Sequence, residues 1–185
     1  MIWENNDDIR LEHCDHSRRE IQHVLDTCRE ERRPYVITTP LTSNLSPLTS
    51  ILVPVTMLEE EVYKAEICTY LARKTGAHLI LLRANDYGSK AIKNTQRIIT
   101  HIQTIAERTG KPITYEERIA KGDSFHIHKE LHNYPADFQL ILLTASREYG
   151  LDDWLFGPPE QYVIRHCQVP VMLVNPRSDL FSLCD

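Results

Sequence analysis

Two hydrophobic rhythms alternate along the chain from residue 51 onward. Short continuous apolar runs, ILVPV at 51–55, LILL at 79–82, LILL at 140–143 and PVMLV at 170–174, have the character of strands covered on both faces. Between them the apolar positions fall at helical spacing. Met57–Lys74 carries them at 58, 62, 65, 68, 71 and 72 and stops at Gly76. Lys90–Arg108 carries Ile92, Ile98, Ile99, Ile102, Ile105 and Ala106 and stops at Gly110. Ala77–Leu82 and Ile113–Ile119 read as strands, Asp123 or Ser124 starts a helix to about Asn133, and the last helix follows Pro159 and runs to about His166. Five strands and four helices in strict alternation predict an α/β fold, an open doubly wound five-stranded parallel sheet with right-handed crossovers. In such a sheet ligands bind at the carboxyl ends of the strands.

The pattern before residue 50 differs. SRREIQHVLDTCREER, 17–32, is an amphipathic helix with a Ser17/Glu20 capping box and Ile21, Val24, Leu25 and Cys28 on one face. Pro34 ends it, Tyr35–Thr38 is a short strand, and TTPLTSNLSPLTS, 38–50, has a linker's composition. The expected organisation is therefore an extension over 1–49, an α/β domain over 50–177 and a tail over 178–185. A lone helix and strand cannot bury their apolar faces unaided. The extension is expected to dock on the main sheet or to exchange with a second subunit. The tail, with Leu180, Phe181 and Leu183, is expected to pack on its own domain or on a partner.

Composition narrows the classes. A chain of 185 residues, 42% hydrophobic and 25% charged, has the balance of a water-facing globular protein. The formal charge of -5 argues against a general nucleic-acid binder. No apolar run approaches the ~20 residues that cross a bilayer, and MIWENNDDIR lacks a secretory pattern. A cytoplasmic location with no membrane partner is expected. Cys14, Cys28, Cys68, Cys167 and Cys184 form no CxxC pair and read as reduced, mostly buried thiols.

Residues 50–177 resemble the universal stress protein family. The likeness rests on ILVPV at 51–55, KTGAHLILLRA at 74–84, the strand and loop from 140 to 157, and VIRHCQVPVMLV at 163–174. In ATP-binding relatives the loop reads G-x2-G-x9-G-(S/T), in which glycine amides close on phosphate oxygens. Here Gly157 holds the third glycine's place, whereas Arg147 and Thr144 hold the second and first, and Pro158 replaces the final hydroxyl residue. Thr56 stands where those relatives carry an acidic residue that aids adenosine contact. Four of five places have changed. The resemblance thus implies a stress-response regulatory or interaction module, not an enzyme, with no cofactor and with ATP or AMP disfavoured. The alternative is a small-molecule or nucleotide binder that holds AMP, ATP or another anion with Thr56, Thr144, Arg147 and Gly157. Arg147 either meets a phosphate as a bidentate donor or pairs with Glu148, Asp152 or Asp153. The family resemblance also implies a homodimer through the last strand, Val171, Met172, Leu173 and Val174, whose N–H groups would otherwise stay unpaired.

Other constellations carry less. His128 and His132 stand at i,i+4, a spacing that can share a metal, but His126 turns away and a solvated helix face is the expectation. His13, Cys14, Asp15 and His16 look ligand-like in a stretch expected to fray. Asp86-Tyr87-Gly88 either lines the crevice or forms a plain turn. Neither G-x-S-x-G nor GxxxxGK[ST] occurs, and Ser146 lacks the flanking glycines of a nucleophile elbow.

Overall fold

The computed structural model describes residues 8–31, 33–42, 47–108, 112–135, 137–146 and 158–175. Its strands are β1 (Arg10–His13), β2 (Tyr35–Thr38), β3 (Ser50–Val55), β4 (His78–Arg83), β5 (Tyr115–Ile119), β6 (Leu140–Thr144) and β7 (Val171–Val174). Its helices are α1 (Arg18–Arg29), α2 (Lys64–Thr75), α3 (Ser89–Arg108), α4 (Ile127–Glu130) and α5 (Pro159–His166), with 3-10 turns at Glu59–Tyr63 and Leu131–Asn133. No helix among the described residues is long and apolar enough to cross a membrane.

The strands form one sheet in the order β1-β2-β7-β6-β3-β4-β5. β7-β6-β3-β4-β5 is the doubly wound parallel sheet read from the sequence, and its order reverses between β3 and β6. Among the described residues the sheet nevertheless has seven strands, not five. β2 runs antiparallel along β7, with Val36 opposite Met172, and β1 runs parallel to β2. Val171–Val174 is thereby paired on both sides. The unpaired N–H groups on which the expected copy-to-copy pairing rests are taken by the chain's own β2.

Side-chain alternation along the strands splits the core in two. Ile51, Val53, Val55, Leu79 and Leu81 face α2 and α3, where Cys68, Leu71, Ile98 and Ile102 meet them. Leu52, Ile80, Leu82, Ile141 and Leu143 face the other way, toward α1, α4 and α5. Pro54 lies within a central strand, yet β6 pairs only with Ile51 and Leu52, so its missing N–H falls beyond that ladder.

The N-terminal helix forms as its signals dictate. Ser17 Oγ accepts the Glu20 N–H at 3.2 Å, and the Glu20 carboxylate reaches back to the Asp15 N–H at 2.8 Å. Its apolar face is buried against α5, and Asn175 Nδ2 closes its far end on the carbonyls of Cys28 and Glu31. The extension is docked on the main sheet, the first of the two arrangements expected for it. The stretch expected to fray instead begins in β1, and Cys14 is buried. α2 ends at Gly76, whose φ of 78° suits a residue without Cβ.

Candidate functional site

β3 and β6 end side by side at the point where the strand order reverses, and their carboxyl ends open into a hollow of about 470 Å³. Glu60, Glu61, His128, Thr144, Ser146 and Glu160 line it. Of the four residues expected here, Thr144 is in this wall. Its Oγ1 is buried without a hydrogen-bond partner among the described residues. Thr56 is buried beneath, with its Oγ1 accepting the Leu58 N–H at 3.4 Å, and it serves the turn after β3. Arg147 and Gly157 lie outside the described residues, as does the tail over 178–185.

At the wall of the hollow is a buried ion pair that the sequence does not announce. Lys64, the first residue of α2, is 1% exposed and pairs with Glu61, while its ammonium also donates to the Pro54 carbonyl. The signal was the run Glu59-Glu60-Glu61 three residues before a lysine, which a helical pattern alone assigns to solvent.

The far wall is built around Glu160. Pro158 and Pro159 start α5 without N–H groups, and the next side chain turns inward, 3% exposed. Its Oε1 accepts the Ser146 N–H at 3.1 Å and its Oε2 the Ser146 hydroxyl at 2.9 Å. Burial pushes this carboxyl above its ordinary range. A carboxylate of the chain thus holds the donors that end β6, at a helix start that favours negative charge.

His128 corrects the expectation of a solvated face. It enters the hollow from α4 with Nδ1 buried and unpartnered among the described residues. Burial first, and then the Lys64 ammonium, hold its pKa down to about 4. His132 falls in the following 3-10 turn and meets the Tyr162 ring edge-on at 5.7 Å, while His126 Nδ1 contacts Asp123 at 2.7 Å. The three imidazoles therefore do not converge. Among the described residues, no group of three or more His, Cys, Asp or Glu could hold a metal.

Asp86 ties the neighbouring turns together. It accepts the Ser124 N–H at 2.8 Å, the Ser124 hydroxyl at 2.7 Å and the Thr95 hydroxyl at 3.2 Å, and Ser124 Oγ in turn accepts the Met57 N–H at 2.8 Å. Tyr87 and Gly88 instead line a shallower hollow of about 700 Å³ beside Met57 and Lys90. Burial pushes the Cys14 and Cys28 thiols up to about 11 and those of Cys68 and Cys167 to about 12. All four are free thiols that stay protonated near neutrality.

The family model of the universal stress protein family matches residues 48–175, which covers the five parallel strands and the hollow. The chain belongs to that family. Among solved structures it is similar to a universal stress protein from Archaeoglobus fulgidus DSM 4304, with TM-score 0.67 and 14% identity over 93% of this chain and 62% of that one. A universal stress protein in complex with cAMP gives TM-score 0.56 and 16% identity over 71% of this chain and all of that one. A functionally unknown protein from Pseudomonas aeruginosa PAO1 gives 0.51 and 16% over 92% of this chain and 64% of that one. This chain thus spans less than two thirds of the first and third of these. No curated protein is similar enough to this chain to match.

Proposed function

We propose that this chain is a cytoplasmic regulatory or interaction module of the universal stress protein type, acting without catalysis and without ATP in its crevice. The observation that carries the reading is Glu160. Its carboxylate accepts both donors of Ser146, the N–H and hydroxyl that a phosphate entering from the strand ends would need. Pro158 and Pro159 offer no replacement amide, and Glu60 adds negative charge to the hollow's lining. Lys64 is committed to Glu61 and Pro54. Among the described residues, a triphosphate entering this hollow meets carboxylates before it meets uncommitted donors.

A second reading has one observation of its own. His128 Nδ1 and Thr144 Oγ1 are both buried, unpartnered among the described residues, and belong to the hollow's walls. They suit a small uncharged or singly charged ligand with its own donors and acceptors, and the similar structure holding cAMP makes that nucleotide a fair probe. The two readings part in a thermal-shift titration with ATP, AMP and cAMP at millimolar concentration. The module predicts no change in melting temperature with any of them. A ligand at 100 times its dissociation constant adds about 2.7 kcal/mol, a shift of several degrees. Stabilisation by ATP would sink the first reading, and stabilisation by cAMP alone would favour the second.

A further inference from the structure

The extension echoes the end of the chain. QHVLDTC at 22–28 corresponds to QYVIRHC at 161–167, sharing Gln, Val and Cys with Leu in place of Ile. In both segments a proline then precedes a strand, PYVIT at 34–38 and PVMLV at 170–174, and the first segment is three residues longer between cysteine and proline. The structural echo is closer still. β1-α1-β2 is a parallel strand–helix–strand unit, as is β6-α5-β7. Val24, Leu25 and Cys28 are buried in the same core as their counterparts Val163, Ile164 and Cys167.

The two units meet about a local twofold. Val36 corresponds to Met172, and these two stand opposite each other in the β2–β7 ladder. Tyr35 faces Leu173 and Ile37 faces Val171, so exchanging each residue for its counterpart returns the same ladder. The glutamines also correspond, and Gln161 Nε2 donates to Gln22 Oε1 at 3.3 Å and to the Arg18 carbonyl at 3.0 Å. An unrelated strand docked on an open edge has no reason to choose the register that maps onto itself.

We infer that residues 10–38 are a partial internal copy of residues 140–174 and occupy, within one chain, the place that a second copy's last strand would take. The partner of the β7 edge is this chain's own extension. An isologous interface of two β7 strands is therefore closed, and the sheet continues to a new edge at β1. Arg10 and Glu12 pair with each other there and Arg10 pairs with Glu31, charges that discourage further strand addition.

Amide exchange on the full chain, with its mass by light scattering, tests this. At the single-chain mass of 21.5 kDa, the amides of Val171–Leu173 that face β2 should be protected. In an Ile37→Pro variant they should exchange at least tenfold faster, while 51–53 keep their protection. Unchanged exchange at 171–173 in that variant would mean that β2 is not the occupant. A full chain of twice the mass that Ile37→Pro splits into single chains would mean that the strand comes from another copy. Either result overturns the inference. Should the variant fail to fold, the wild type still decides. A single-chain mass with protected amides supports pairing in cis, and rapid exchange at 171–173 removes it.

Discussion

Replacing Lys64 with alanine should lower the stability of the fold by about 3–5 kcal/mol, measured by urea unfolding near neutral pH. The variant leaves the Glu61 carboxylate buried without its cation, and the Pro54 carbonyl loses its donor. Both groups are buried, with Lys64 at 1% and Glu61 at 4% exposure, although Glu61 belongs to the lining of the hollow. A pair desolvated to this degree contributes little net stability when intact, because the desolvation cost offsets most of the attraction, but it is costly to break. The double variant Lys64→Met/Glu61→Leu should therefore recover much of the single variant's loss, although the Thr56 N–H gives up its 3.5 Å contact with Glu61. A loss below about 1 kcal/mol for Lys64→Ala, the range of exposed pairs, would show that water reaches the pair.

The pair's position shows what the sequence conceals. Four of the five parallel strands were legible as apolar runs covered on both faces and the fifth, Tyr115–Ile119 at the partly buried edge, as a strand between two helical patterns, while Gly76 and Pro159 mark helix ends. β1 was not. RLEH has two charges in four residues and is only partly buried, so it becomes a strand by hydrogen bonding to β2 and not by its own pattern. The seventh strand's neighbour was missed for a related reason. Tyr35–Thr38 was recognised as a strand, but a four-residue strand names no partner, and the pairing register with β7 is a tertiary property. The hollow was half legible. Thr144 could be placed from the order of loop residues, while Glu160 and His128 look like helix-surface residues until the chain turns them inward. Polar residues built into a wall carry no periodic signature, because each is held by a contact distant in sequence: 14 residues separate Glu160 from Ser146.

His128 should give the fold an acid limb. Its pKa is about 4 in the folded chain against an ordinary 6.5, depressed by burial and by the Lys64 ammonium. The unfolded chain therefore binds a proton between those values that the fold refuses. The stability linked to this group is fully present above 6.5, falls as pH drops toward about 4, and is constant below. The loss across that window should be roughly 2–3 kcal/mol. Glu160 acts in the opposite sense, since its raised pKa favours the fold while the carboxyl is protonated and loses that preference as pH rises. The two act together in one pH profile, so a total profile does not isolate either. The difference between the wild type and His128→Gln does. Unfolding free energies of the two should converge as pH falls from 7 to 4, by roughly the 2–3 kcal/mol assigned to the imidazole. Parallel profiles would mean that His128 titrates like an exposed histidine. The same experiment on Lys64→Met/Glu61→Leu, which leaves no unpaired carboxylate behind, links the two features of the hollow. With the ammonium gone, the His128 pKa should rise and the acid limb should shift to higher pH and shrink, whereas a limb unchanged by the substitution would leave burial as its single cause.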